Sequence, residues 1–284
     1  MFNTQKLLVI VLSVFLFVLP NTLSAYKGDG VVEKGENADE EMRKAAQNPM
    51  ADLMSFPIQN NTNFKYGPLE KTQNITNIQP VIPFSIGEDW NLITRTIIPL
   101  INQPEFISGQ DSKFGMGDIN MSLFVGPKDS GGLIWGMGPV LMFPTATDDR
   151  LGTDKWGAGP AAVVVKMQDP WVIGILGQNI WSFAGDSNRP DVNQMLIQYF
   201  VNYNLPDGWY LSSAPIITAN WEAGGDDRWT VPFGGGFGRL FKIGKLPINT
   251  QVQAFYNVEK PDNIGPDWTL RIQLQTLLPK SIFK

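Results

Sequence analysis

The stretch Trp268-Thr269-Leu270-Arg271-Ile272-Gln273-Leu274-Gln275-Thr276-Leu277 decides the fold class. Trp268, Leu270, Ile272 and Leu274 alternate with Thr269, Arg271, Gln273 and Gln275. A period of two puts successive side chains on opposite faces of an extended strand, so one face is apolar and the other polar. Residues 248–259 repeat the pattern, with Val252, Ala254, Tyr256 and Val258 set against Asn249, Gln251, Gln253 and Asn257. Residues 195–204 do so again, with Ile197, Tyr199, Val201 and Tyr203 opposing Gln198, Phe200, Asn202 and Asn204. Weaker alternation covers 53–64 and 209–222.

Such segments number roughly twelve along the chain, near 52–66, 72–86, 89–102, 114–126, 132–146, 155–168, 171–184, 191–204, 209–222, 228–243, 246–259 and 267–279. Their connections alternate between mostly tight turns (87–88, 126–131, 168–170, 205–208, 244–245) and longer polar loops (103–113, 147–154, 185–190, 260–266). Short turns on one side and long loops on the other predict an all-β chain: a transmembrane antiparallel β-barrel of about twelve strands, of outer-membrane type, with both ends on the periplasmic side. Most segments can supply the roughly nine to eleven residues that a tilted membrane-spanning strand needs, and closure would pair every backbone amide. Trp90, Trp135, Trp171 and Trp209 lie near the short-turn ends; Trp156, Trp181, Trp221, Trp229 and Trp268 lie toward the long-loop ends. Indole prefers the boundary between apolar and wet layers, which predicts two aromatic girdles. The competing fold is a soluble sandwich with Trp in its core.

Two features resist this reading. Pro57, Pro80, Pro83, Pro99, Pro139, Pro144, Pro160, Pro215 and Pro232 fall in or near the segments, and each lacks a ladder donor. Arg239 shares the apolar parity of Phe237 and Phe241. A cation facing lipid at mid-depth costs about 2–4 kcal/mol, so Arg239 must lie near the interface or a bulge must precede it.

Composition narrows the chemistry. The 284 residues include 22 Lys+Arg, 27 Asp+Glu, no His and no Cys. Disulfides, thiolate nucleophiles, imidazole bases and the usual zinc, copper and haem ligands are therefore absent. A net charge of -5 and a pI near 4.9 speak against nucleic acid as a partner. The glycine motifs lack a phosphate-loop context, so no cofactor is expected. The loop acids Asp148, Asp149 and Asp154, and Glu222, Asp226 and Asp227, read as solvated carboxylates, so no metal is expected either. No convincing inward pair of carboxylates offers a catalytic site, and the chain is read as a non-enzyme.

The N-terminus carries an address. Lys6, the apolar run 7–20 and the small-residue site Leu23-Ser24-Ala25 predict a cleaved signal peptide over 1–25. Residues 26–50 are acidic and poor in bulky apolar side chains. They are expected to form a periplasmic leader, disordered or a short helix around 38–47 capped by Asn37, solvated, with a plug as the alternative. The barrel domain is then 51–284. The expected location is the bacterial outer membrane, and the expected partners are its lipid, the barrel-assembly machinery and a small-molecule solute.

With the apolar parity facing lipid, Gln59, Asn61, Asp118, Asn120, Gln198, Asn202, Gln251, Gln253, Arg271, Gln273 and Gln275 point inward, with Arg95 and Asn91 beside them. This predicts a narrow lumen, rich in amides and poor in charge, passing small neutral or weakly polar solutes. The alternative is a non-conducting barrel filled by its own side chains. Arg95, Asp118 and Arg271 are its only central charges, and an Arg–Asp pair could brace opposing walls.

Finally, Pro83-Phe84, Trp90-Asn91-Leu92-Ile93-Thr94-Arg95-Thr96 with Pro99, Gly115-Met116-Gly117-Asp118-Ile119, Pro144-Thr145-Ala146-Thr147, Trp181-Ser182-Phe183-Ala184-Gly185, Asn220-Trp221-Glu222 and Trp229-Thr230-Val231-Pro232-Phe233-Gly234 together resemble bacterial barrel proteins labelled "neuromedin U" or "transporter". These are similar to the outer-membrane proteins of the meta-pathway of phenol degradation. The resemblance spans nearly all of the mature chain. It implies a channel-like outer-membrane fold and apolar or aromatic solutes, and it implies no peptide-hormone activity.

Overall fold

The computed structural model describes residues 42–278, apart from Asp52, Lys245, Asn263 and the side chain of Asp226. The expected signal segment and residues 26–41 of the leader lie outside the described residues. A helix over 42–47 leads into the strands β1 (Met54–Tyr66), β2 (Lys71–Ile78), β3 (Val81–Ile86), β4 (Trp90–Gln103), β5 (Lys113–Met116), β6 (Ile119–Pro127), β7 (Leu133–Phe143), β8 (Lys155–Gln168), β9 (Trp171–Gly185), β10 (Asn193–Asn204), β11 (Trp209–Ser213), β12 (Ile216–Asn220), β13 (Trp229–Ile243), β14 (Leu246–Glu259) and β15 (Trp268–Leu278). Among the described residues no helix is long and apolar enough to cross a membrane.

These segments make twelve antiparallel staves, because β2–β3, β5–β6 and β11–β12 are each one stave cut in two. Neighbouring staves pair around the ring, and β1 pairs β15 from Met54↔Leu278 to Phe64↔Trp268, which closes it. Closure leaves no open edge at the β1–β15 seam, and only the short β5 has a single strand partner among the described residues. The three cuts depart from the continuous strands that alternation predicts, and each has a chemical reason. Pro80 and Pro215 lie in two of them and cannot donate to a ladder; Asp118 sits in the third, where its carboxylate is otherwise engaged. Pro232, Pro139 and Pro160 coincide with further irregularities, whereas Pro57, Pro83 and Pro99 lie in ladders of regular register. The β13–β14 register shifts between Val231 and Pro232. Pro139 and Pro160 face each other, and the β8–β9 ladder skips Gly159 and Pro160.

The parity read from the sequence is kept. Ile272 and Leu274 are about half exposed on the outside while Arg271 and Gln275 are buried inside. Arg239 points outward, stacks over Trp209 at 5.0 Å and donates to the Asp207 carbonyl in the short turn, so it lies at the rim and no bulge is needed to account for it. One outward patch is polar. Asn60, Thr62, Asn74 and Thr76 lie on the outward parity of β1 and β2 and hydrogen-bond one another at 2.7–3.1 Å, so their polar atoms are satisfied from within the wall.

Inside, two aromatic rings lie over glycines on paired strands. Tyr210 is buried opposite Gly238, with its hydroxyl donating to Asn249 Oδ1 at 2.7 Å, and Phe200 lies opposite Gly174. A methyl group at Gly238 would overlap the Tyr210 ring and the Thr250 carbonyl oxygen, whereas one at Gly177 meets open space. Overpacking of this kind costs about 1–3 kcal/mol. Gly238→Ala should therefore lower the temperature at which the barrel unfolds in heat-modifiability gels, and Gly177→Ala should leave it unchanged.

Candidate functional site

The ring encloses a lumen whose two halves differ in chemistry. One arc, from β10 through β14, β15 and β1 to β4, is lined with amides and arginines. Gln59 Nε2 donates to Gln273 Oε1 at 2.9 Å, Asn249 Nδ2 to Gln275 Oε1 at 3.2 Å and Gln253 Nε2 to Ser212 Oγ at 2.7 Å. Gln198 reaches the Ala214 carbonyl at 3.4 Å, and Gln251 lines the same space. Arg95 Nη2 donates to Gln79 Oε1 at 2.7 Å. Arg271 donates from Nε to Asn61 Oδ1 at 2.9 Å and from Nη1 to the Ala214 carbonyl at 2.7 Å, and it stacks on Phe255 at 4.8 Å. The carbonyl of Ala214 is free to accept because Pro215 interrupts the stave there.

The opposite arc is aliphatic. Ile93, Phe124, Val140, Met142, Val163, Val165, Val172, Leu176 and Ile180 form a buried cluster across β4, β6, β7, β8 and β9. Reading amides alone missed this half, and the lumen is two-faced rather than uniformly amide-lined. The signal was present: Ala161-Ala162-Val163-Val164-Val165 is apolar on both parities, the mark of a strand buried on both faces. Between the arcs lies a cavity of about 210 Å³.

Asp118 departs from its expected role. It pairs with neither arginine: Oδ1 accepts from the backbone N–H groups of Thr145 and Ala146 at 3.1 and 3.2 Å, and Oδ2 from Thr153 N and Oγ1 at 2.6 and 2.8 Å. The expected Arg–Asp brace is thus replaced by a clamp on the 144–153 loop, because four donors of that loop converge on the carboxylate. Asn120, next on the inward parity, donates to the Asp118 carbonyl at 3.3 Å.

The chain entering β1 closes the short-turn end. Residues 45–49 and 51 border the cavity, Gln47 Nε2 donates to Asn204 Oδ1 at 3.0 Å, Arg43 pairs with Asp169 at 2.8 Å, and Met50 is buried in the aliphatic cluster. This part of the chain occupies the mouth instead of lying in solvent.

All nine tryptophans sit within four residues of a stave end. At the short-turn end Trp90 meets Trp135 edge-on at 6.1 Å, Trp171 meets Tyr203 at 4.8 Å and Trp209 meets Phe237 at 6.0 Å. At the long-loop end Phe143 meets Trp156, Trp221 meets Trp229 and Tyr256 meets Trp268 at 4.9–5.6 Å, and Trp181 is exposed beside them.

The long loops carry their own ion pairs. Asp148 pairs with Lys113 and Arg150, Asp154 with Arg189, and Lys155 with Asp191. Asp267 bridges Lys260 and Lys65 at the closing seam. The hydrogen bond from Lys260, then its charge and that of Lys65, hold the Asp267 carboxyl below its ordinary range; the Arg150 backbone N–H does so first for Asp148. A depressed folded-state pKa gives stability that is present above the unfolded value, about 4, and is lost as pH falls through the folded value. Acidification below about pH 4 should therefore loosen the long-loop rim, and protease access to 260–266 checks this.

Ring closure, stave number and the turn-and-loop asymmetry define a twelve-stave antiparallel barrel of the outer-membrane architecture. Its fold is similar to that of an outer membrane channel from Pseudomonas putida F1, with a TM-score of 0.59 at 19% identity over 80% of this chain and 94% of that one. Outer membrane phospholipases from Salmonella typhi and Escherichia coli align at TM-scores of only 0.43 and 0.42 with 16% identity, over 80% of this chain and 90% and 96% of theirs. No protein-family model and no curated relative matches the chain.

Proposed function

We propose that this barrel resides in the bacterial outer membrane and is a passive channel for small neutral or hydrophobic solutes. The observation that carries the reading is the lumen's division into an amide arc and an aliphatic arc. A solute with a polar end and an apolar body finds hydrogen-bond partners on one side and dispersion contacts on the other. The outward apolar parity and the aromatic pairs at both rims support insertion in a bilayer. The fold shared with an outer membrane channel at 19% identity points the same way. With no imidazole or thiol in the sequence, an acyl-transfer site would have to be assembled from carboxylates and lysines, and none converge on the cavity.

A second reading has its own support. Residues 45–51 in the short-turn mouth and the limited cavity fit a barrel that binds solutes without conducting them. Liposome swelling separates the two. Proteoliposomes placed in small uncharged solutes should swell faster than protein-free vesicles, with the rate falling as solute size grows. Equal rates would favour the non-conducting barrel.

A further inference from the structure

The cavity between the arcs holds an electrostatic imbalance. Its lining includes one ionisable side chain, Arg95, and no carboxylate. Arg271 is buried behind it and lies within electrostatic reach. Neither guanidinium has an ion-pair partner among the described residues: Arg95 is tied to Gln79, and Arg271 to Asn61 and the Ala214 carbonyl. Asp118, the acid expected to neutralise them, is spent on the 144–153 loop. Two cations held in a poorly hydrated interior without a counter-charge are costly, and an anion that enters removes much of that cost.

The roles of the two arginines differ. Three contacts fix Arg271, the third being the face of Phe255, so it supplies a stationary positive field. Arg95 is held by one hydrogen bond and keeps surface open to the cavity, leaving donors of its planar fork for a carboxylate. Lining the same cavity are Ile93, beside Arg95 on β4, and Phe124, Val163, Leu176 and Phe200. A small, strongly hydrated inorganic anion would leave this wall unused, and a dianion would need a second counter-charge at its far end. What fits both walls is a monocarboxylate with a compact apolar body.

We infer that the cavity is a binding site for small apolar monocarboxylates, with Arg95 receiving the carboxylate and the Ile93–Phe124–Phe200 side receiving the body. The site uses the same lumen as the channel reading but requires no flux. Calorimetry and vesicle swelling can therefore fail independently.

The test is titration calorimetry on the full-length protein in detergent at neutral pH, with benzoate and, as its neutral counterpart, benzyl alcohol. Benzoate should bind saturably, and at least about tenfold more tightly than benzyl alcohol, the value of one charge-assisted hydrogen bond. Arg95→Gln should erase that preference while leaving weak benzyl alcohol binding, and Arg95→Lys should restore part of it. Should Arg95→Gln fail to fold, as shown by loss of heat modifiability, competition on the unaltered protein decides: acetate, lacking the body, must displace benzoate far less well than hexanoate does. No saturable benzoate binding, equal affinity for benzoate and benzyl alcohol, an unchanged preference in folded Arg95→Gln, or equal displacement by acetate and hexanoate would each overturn the inference.

Discussion

Deleting residues 42–51 should raise single-channel current several-fold in planar bilayers. Residues 45–49 and 51 border the lumen cavity at its short-turn end, so on the channel reading their removal widens the path. Their hold is modest. The Arg43–Asp169 pair involves a half-exposed carboxylate, and exposed pairs contribute about 0–1 kcal/mol. The Gln47–Asn204 hydrogen bond adds about 1 kcal/mol. Met50 contributes most: it is buried among the aliphatic cluster, and its thioether end lies against Gly126 and Gly136, which leave it room. Burying such a side chain is worth about 1.5–3 kcal/mol. Met50→Ala should thus produce part of the deletion's effect and Arg43→Ala little of it. Unchanged current in the deleted chain would mean that the resistance lies elsewhere, in the meeting of the two arcs.

Asp118→Ala should be among the most destabilising single substitutions in the chain. It strands three backbone N–H groups and one hydroxyl that now converge on a single carboxylate. Hydrogen bonds to charged groups are worth about 1.5–3 kcal/mol each, though not additively, and a total loss of about 3 kcal/mol is expected. On the scale of a chain this size that lowers the unfolding midpoint by roughly 6–12 °C. Asn is a partial replacement, because its amide nitrogen cannot accept, and should fall between. A loss confined to loop 144–153, seen as new protease sites there without a change in midpoint, would show that the clamp serves the loop alone.

Much of this molecule is legible in its sequence because the forces that fold it repeat every two residues. Ile272 against Gln273 and Val252 against Gln253 give the inward and outward faces directly. The stave boundaries follow from turns such as Gly87-Glu88 and Asp169-Pro170, and the aromatic positions mark both rims. Alternation cannot report what breaks it. The Gly115–Ile119 and Pro144–Thr147 motifs read as two separate strand ends, yet they interlock: Thr147 N donates to the Met116 carbonyl, Thr145 Oγ1 to that of Gly117, and Ile119 N to Thr145 Oγ1. That contact spans almost thirty residues and is set by where the Asp118 carboxylate points. The aliphatic arc was hidden for the opposite reason. When both faces of β8 are apolar, the pattern does not say which one looks inward, and only the curvature of the closed ring decides. The plugging of the mouth was equally hidden, since Ala45 to Ala51 carries little apolar bulk apart from Met50.

A membrane barrel of this kind requires the apolar parity to meet hydrocarbon while the amide parity looks into a ring sealed by β1 and β15. A chain with no native cysteine allows a direct measurement: nitroxide labels placed singly at Ile272→Cys and Gln273→Cys in proteoliposomes, with collision rates measured against oxygen and a water-soluble nickel chelate. Oxygen should dominate at 272, and exposure to it should be far lower at 273, where the label sits inside the wall. Equal oxygen exposure at the two neighbours, or the reverse order, would contradict the barrel's orientation and the lumen built on it.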